Sequence, residues 1–305
     1  MTTNAVKETA NVPKKKRVEI FPIINVIILT LFGIITLYPC LNVVAKAFSS
    51  QGYVITGQVY LIPKGLQFGT IKYVISKPDF LNAFKVSVFV TVVGTLFAMF
   101  LTVLTAYPLS KPSLRGRKFF LGIFVFIMLF GAGMVPNYIL YRSLHLTNTV
   151  WALVFSGAFS VFNLFIVKNY YESLPETVEE AARIDGASNL VTLFRIVLPM
   201  SMPVLATVTL FYGVSYWNSY FSGVMYITDP SLKSLQQYLY DLITLASMTM
   251  DPTGVPVADS EALANFTGEV VRSATIVVST VPILVLYPFL QKYFDKGVML
   301  GSIKG

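Results

Sequence analysis

The chain has 305 residues, 55% of them hydrophobic and only 12% charged, with a mean hydropathy of +0.68. A soluble domain carries about 25% charged residues, so half the usual polar cover is missing and the composition is that of an integral membrane protein. The net charge of +8 would suggest nucleic acid in a soluble protein; here the positions of the lysines and arginines explain it as topology, and no nucleic-acid partner is expected.

A bilayer core needs about 20 mostly apolar residues per helix, and six stretches qualify: roughly 20–47, 84–109, 119–141, 150–168, 200–224 and 273–290. The fold class predicted is an all-α membrane protein of six transmembrane helices in one domain, 20–290. A basic N-terminus, 1–19, precedes it and a tail, 291–305, follows. The first span is preceded by Lys14, Lys15, Lys16 and Arg17, and KPSLRGRK (111–118) joins spans two and three without one acid. Of the 23 lysines and arginines, fifteen fall on the N-terminal side of the membrane. By the positive-inside rule both termini are then cytoplasmic, in a multi-pass membrane protein. PKKKR also resembles a nuclear-localisation run, and Ala45-Lys46-Ala47 a signal-peptidase site. The apolar run before the latter is about twice the roughly 7–15 residues of a signal h-region.

Pro39, Pro108, Pro136, Pro203, Pro282 and Pro288 lie in or at the ends of spans, where they kink or terminate helices, as bundles around a cavity tolerate. Two external segments are long enough for structure of their own: 48–83, and the acidic 225–272. The single cysteine, Cys40, excludes an internal disulfide and argues against cysteine-ligated metals. The single histidine, His145, falls in a short external loop and argues against haem or multi-histidine metal sites. No catalytic or metal-ligating residues are predicted.

Residues 171–203, YESLPETVEEAARIDGASNLVTLFRIVLPMSMP, form a polar, acid-rich segment between two stretches too apolar for water. The cytoplasmic loop between spans four and five is 171–199. Ser173-Leu174-Pro175-Glu176 reads as a capping box with proline in the first turn. Glu176, Glu179 and Glu180 lie near the positive end of the helix it starts, where carboxylates are favoured. Ala181 and Ala182 follow, then Asp185-Gly186 as helix stop and turn, and a second helix runs from Ala187–Ser188 to Leu198-Pro199. The product is a helix–turn–helix parallel to the membrane. Its small residues permit close backbone approach by a partner, although a solvated connector would use alanine equally well.

Glu180-Ala181-Ala182, Gly186 four residues on, a nine-residue spacer, then Ile196, Leu198 and Pro199 resemble the EAA loop of bacterial ABC importer permeases. The fuller run EEAARIDGAS, followed by Phe194 and LPMSMP, is similar to the carbohydrate-uptake branch, the second-permease type of the maltose system. The resemblance extends over the whole chain, to the tail YFDKGVMLGSIKG. Leu174-Pro175 departs from the more usual Ile-Pro. The resemblance implies that the first loop helix is a coupling helix seated in a cleft of a cytoplasmic ATPase. Glu179, Glu180, Ala181, Ala182, Asp185, Gly186, Ala187, Leu198 and Pro199 would form the coupling patch. Glu180 would meet a basic residue, and Asp185 would order the turn. The tail would run toward the ATPase pair, with Gly297, Gly301 and Gly305 allowing an irregular path. It further implies a location in the bacterial plasma membrane, a second homologous permease, two cytoplasmic ABC ATPase subunits, an extracytoplasmic solute-binding protein touching 225–272, and a sugar of the oligosaccharide class as substrate.

The chain carries no G-x-x-x-x-G-K-[ST] phosphate loop, so no cofactor is expected on it; ATP and magnesium belong to the partner ATPase. The six predicted span interiors hold no Asp or Glu, which weakens an ion-coupled carrier. A membrane enzyme would want clustered His, Cys or carboxylates. A secondary carrier and a non-transporting scaffold are the remaining rivals. In span five, Tyr212, Tyr216 and Tyr220 recur at i, i+4, i+8 and would share one helix face, with Trp217 and Asn218 beside them. This stripe fits either an interfacial aromatic belt or a sugar-stacking surface. Asn137 and Asn163 are expected to bond neighbouring helices.

Overall fold

The computed structural model describes residues 20–248 and 268–298. The basic N-terminus, the middle of 225–272 and the end of the tail, with Gly301 and Gly305, lie outside the described residues. The described residues are helical, joined by short connections, and contain no strand. Three helices are each long and apolar enough to cross a membrane, and three bent pairs bring the number of spans to as many as six.

Helix α1 (Ile20–Ala47) ends where predicted and runs through Pro39. Helices α2 (Gln51–Ile55) and α3 (Gly69–Ser76) fold the 48–83 segment. The second span, α4 (Pro78–Ser110), begins six residues earlier than expected, with Pro78 in its first turn, where the missing N–H costs nothing.

The third span is two helices, α5 (Arg117–Leu129) and α6 (Met134–Ser143), bent by 110°. The break falls at Phe130-Gly131-Ala132-Gly133, where Gly133 has φ +82, a conformation glycine adopts without steric cost. The fourth span, α7 (Val150–Ser156) and α8 (Val161–Ser173), bends by 51°, and the Ser160 hydroxyl caps α8 by accepting from the Asn163 N–H.

After α9 (Glu176–Ile184), the chain continues as α10 (Asn189–Met200) and then α11 (Met202–Trp217), bent by 86° at Ser201. Pro203 provides no N–H for the turn before it, and its ring clashes with the carbonyl four residues back. The single predicted span 200–224 is therefore corrected to a shorter helix ending at Trp217. Beyond it lie α12 (Phe221–Tyr226), a 3₁₀ turn at Pro230–Leu232, α13 (Leu235–Met248) and α14 (Gly268–Val298). Helix α14 extends through Gly297, where an irregular path was expected; the rest of the tail is outside the described residues.

Helix α4 is the hub, packed by α7, α8 and α11 along its length. The main core joins Val90, Ala98, Ala106 and Tyr107 of α4 to Leu164 and Val167 of α8 and Val208, Tyr212 and Tyr216 of α11. The Tyr216 ring is pressed between two glycines: a Cβ at Gly94 would lie 2.6 Å from its Cζ, and one at Gly157 2.9 Å. A second core gathers Ala47, Phe80, Ala83, Trp217, Leu235 and Ala274 where α1, α4, α11, α13 and α14 converge. Helices α5 and α6 bury no residue, and α1 is exposed from Ile24 to Leu41. Such continuous apolar exposure suits lipid or another apolar subunit.

Candidate coupling site

The loop between α8 and α11 owes its shape to local chemistry. Helix α8 runs through Ser173, whose hydroxyl donates to the Tyr170 carbonyl, so the predicted capping box does not form. Leu174-Pro175 is extended instead, and α9 starts at Glu176 without a side-chain cap. Proline disfavours helical backbone in the residue before it, which is why Leu174 leaves the helix.

At the other end, the Ala187 N–H donates to the Ala182 carbonyl at 2.9 Å and the Gly186 N–H to the Arg183 carbonyl at 3.0 Å. Gly186 sits between at φ +80. This pair of bonds around a left-handed residue is a Schellman closure. The Asp185 carboxylate is exposed and makes no hydrogen bond; the turn is ordered by its backbone and by Gly186, not by the Asp185 side chain. Ser188 then caps α10, accepting from the Val191 N–H at 3.4 Å. Over Leu193–Val197 that helix widens into a π-turn.

The coupling patch divides into two faces. Glu180, Ala181, Asp185, Gly186 and Pro199 are exposed, and Ala187 and Leu198 are half-buried. Glu179 and Ala182 are buried. The Glu179 carboxylate pairs with the Lys111 ammonium through both oxygens and accepts from the Tyr107 hydroxyl at 3.4 Å. Lys111 also lies 4.7 Å above the Tyr107 ring. Next to this cluster, Glu172 is paired with Arg117 and with Lys168, and the Arg117 Nε donates to the Leu109 carbonyl at 2.8 Å. The charges border a polar cavity of about 360 Å³ between Lys111, Arg117, Tyr171, Glu172, Glu179 and Arg183. Glu180 makes no ion pair.

Sequence reasoning missed the apolar part of this surface. Ile184 is 87% exposed, Leu190 62% and Phe194 51%, beside Ala181 and Gly186. Together with the small residues of α9 these side chains give the loop an apolar surface that a partner could cover. The signal was present as Ile184 in the slot after Ala181-Ala182-Arg183, on the face opposite Ala182.

The aromatic residues of α11 are placed differently from a substrate stripe. Tyr212 is buried, bonded to the Thr102 hydroxyl at 2.8 Å, and accepts from the Ser160 N–H at 3.0 Å. Tyr216 donates to the Val154 carbonyl at 2.6 Å, and Trp217 packs edge-on against Phe84. Tyr220 lies beyond the helix end, stacked on Tyr240 at 5.4 Å, and Asn218 is exposed. Only Tyr212 and Tyr216 share a helix face, and that face is interior. Asn163 is buried without a side-chain hydrogen bond.

A second cavity of about 360 Å³ opens between α6, α7 and α12, lined by Asn137, Tyr141, Ser156, Phe221, Ser222 and Tyr226. The Tyr141 and Tyr226 rings stack at 4.4 Å, nearly parallel. The cavity's rim is held by Asn148, whose N–H donates to the Tyr226 carbonyl at 2.7 Å while its side chain accepts from the N–H groups of Thr228 and Asp229. Just beyond, the Ser231 hydroxyl and N–H hold the Asp229 carboxyl below its ordinary value.

Spans bent around a hub helix, with a helix–turn–helix projecting an apolar knob, give the chain the form of a membrane-embedded bundle. The chain belongs to the family of binding-protein-dependent transport system inner membrane components, which it matches over residues 18–300; it is a multi-pass protein of the plasma membrane. It is 39% identical over 288 residues to protein LplC of Bacillus subtilis, covering 94% of this chain and 95% of that one. It is 38% identical over 282 residues to the polygalacturonan/rhamnogalacturonan transport system permease protein YtcP of the same organism, covering 91% and 96%. Its structure superposes on a chain of a bacterial ABC transporter involved in import of the acidic polysaccharide alginate, with TM-score 0.84, 34% identity and coverage of 93% and 100%. A chain of a bacterial alginate ABC transporter in complex with an alginate-pentasaccharide-bound periplasmic protein shares the fold at TM-score 0.56 and 15% identity, covering 88% and 92%.

Proposed function

We propose that this chain is one of two homologous permease subunits of an ATP-driven importer. Two cytoplasmic ATPase copies, carrying ATP and magnesium, would power it, and an extracytoplasmic binding protein would deliver an oligosaccharide. The observation that carries this is the two-faced α9, with Ile184, Ala181 and Glu180 turned outward beside the glycine turn. Such a surface suits an apolar cleft with one basic residue at its edge. Both chain termini and the 171–199 loop are then cytoplasmic, and 225–272 faces the binding protein. ATPase closure would displace α9 and α10 together and bias the bundle between outward and inward openings, which requires different contacts in the two states.

An oligosaccharide is favoured by the substrates named for the relatives: polygalacturonan and rhamnogalacturonan for YtcP, and alginate for the superposed transporter. Within this subunit the cavity at Asn137, Tyr141, Ser222 and Tyr226 suits a sugar better than the α11 stripe, because it offers hydroxyl and amide groups beside apolar side chains. Glu180→Lys tests the assignment in proteoliposomes with the ATPase and binding protein. We expect uptake to fall at least tenfold while the subunit remains inserted; undiminished ATP-dependent uptake would remove Glu180 from the coupling surface.

A further inference from the structure

The two adjacent glutamates of α9 have separate tasks. Consecutive residues on a helix point about 100° apart, and here that angle separates the outside of the molecule from its interior. Glu180 is exposed and unpaired. Glu179, with a side chain only 8% exposed, turns inward onto Lys111 at the end of α4. Among the described residues, Glu179 makes the only side-chain hydrogen bonds and ion pair between α9 and α4 with its C-cap Lys111. Otherwise α9 is tied to the protein by the extended Leu174-Pro175 connection, by the Gly186 turn and by the packing of Ala182.

We propose that the Lys111–Glu179 ion pair is the joint that fastens the coupling helix to α4, and that α4 carries the displacement of that helix to the opposite end of the bundle. The proposal rests on the importer assignment above and adds the internal route by which it operates. Position on the molecule decides the strength of such a pair. Exposed ion pairs contribute little and would slip under load. The Lys111–Glu179 pair is shielded mainly on the Glu179 side, with side-chain exposures of 20% and 8%, so separation would leave the Glu179 carboxylate largely buried without its partner. Lys111 is held a second way, with its ammonium over the Tyr107 ring, and Tyr107 is itself packed edge-on against Tyr171 of α8.

The far end of α4 is pinned as well. The Asn82 amide donates to the Ser231 carbonyl, and the Ser87 hydroxyl accepts from the Leu235 N–H at 2.7 Å. Both partners lie in the segment assigned to the binding-protein side. From Ser87 to Ser110 the chain is one continuous helix, with Pro108 in its last turn and Lys111 as its C-cap residue, a distance of about 35 Å at 1.5 Å per residue. One helix is thus bonded at its two ends to the two segments whose states must alternate together. Spatial connection alone does not establish energetic coupling; exchange of the two charges does.

The test uses the assembled transporter in proteoliposomes, with binding protein and a saccharide that the wild type imports. Lys111→Glu and Glu179→Lys are each compared with the double exchange and with Lys111→Arg. The readouts are co-purification of the ATPase subunits, the factor by which loaded binding protein stimulates ATP hydrolysis, and uptake. Each single reversal is expected to retain the ATPase subunits but lose stimulation and uptake at least tenfold. The double exchange is expected to return within about threefold of wild type, as is Lys111→Arg. If a reversal fails to assemble, Glu179→Gln, which keeps the side-chain shape, is expected to assemble and to lose stimulation by about threefold or more. Wild-type stimulation in the single reversals or in Glu179→Gln, or an assembled double exchange no better than its parents, overturns the joint. Absence of ATP-dependent uptake in the wild type would instead overturn the importer assignment, so the two failures are distinguishable.

Discussion

The glycine with least room for a side chain among those described gives the sharpest prediction. Gly94→Ala places a methyl group 2.6 Å from Cζ of Tyr216 and 2.7 and 2.9 Å from its Cε atoms. Something must yield, and the ring has no room to retreat, because Gly157 stands on its other side with ideal Cβ distances of 2.9 Å. Overpacking of this kind costs about 1–3 kcal/mol. Displacing the ring also breaks the 2.6 Å bond from the Tyr216 hydroxyl to the Val154 carbonyl, worth about 1 kcal/mol. The expected total is about 2–4 kcal/mol. The assay is thermal unfolding of the purified transporter in detergent, with Gly122→Ala as the control, since nothing lies within 4 Å of a Cβ there. Tyr216→Phe should cost about 1 kcal/mol alone. Combined with Gly94→Ala it should cost less than the sum, because the hydrogen bond can be lost only once. A Gly94→Ala protein that unfolds at the wild-type temperature would refute the packing argument.

Other expectations follow from single positions. At Gly186 the obstacle to a side chain is the backbone, since nothing lies within 4 Å of a Cβ at φ +80. Alanine should weaken the turn by about 1–2 kcal/mol and valine by more, while asparagine, which tolerates that conformation, should keep most uptake; equal uptake in the valine variant would contradict this. Ile184→Asp should reduce ATPase co-purification at least tenfold without changing the unfolding temperature, because the side chain is already outside. Tyr212→Phe, losing its bonds to Thr102 and Ser160, should lower stability by about 1–3 kcal/mol and leave substrate affinity unchanged, whereas Tyr226→Ala should raise the saccharide concentration needed for half-maximal uptake. The cap that Asp229 supplies to the turn at 230–232 has a lowered carboxyl value, so it persists above the ordinary carboxylate value of about 3.9 and is lost only as acidification passes the lowered value. Amide exchange at Ser231 against pH would follow that loss.

The sequence revealed most of the architecture where one physical rule acted alone. Apolar length found α1 with its end at Ala47, and Pro175 with the carboxylates after it found α9, Asp185-Gly186 its stop and Ala187-Ser188 the start of α10. It misled where two rules competed. Hydropathy is blind to bends, so Phe130–Gly133, Gly157–Ser160 and Pro199–Pro203 were read inside or beside continuous spans although each breaks the helix. Ser173 satisfied the capping pattern, yet α8 claimed it for its own last turn. The tyrosines of α11 looked like a lining because periodicity reports a shared face without saying whether that face is inward. Glu179 and Glu180 are indistinguishable as letters; only the position of Lys111, 68 residues earlier, separates the internal anchor from the external contact.

Helix α1 is moored to the bundle chiefly along α14 and by the bond of Lys46 to Glu269 at 2.6 Å, while its flank from Ile24 to Leu41 meets no other part of the chain closely enough to be buried. Its specification is therefore collective. Shuffling leucine, isoleucine and phenylalanine along that flank should pass unnoticed, whereas one lysine there would be felt. Cys40, exposed on the same helix, gives a ready attachment point for a fluorophore that senses whatever surrounds the transporter without touching its moving parts.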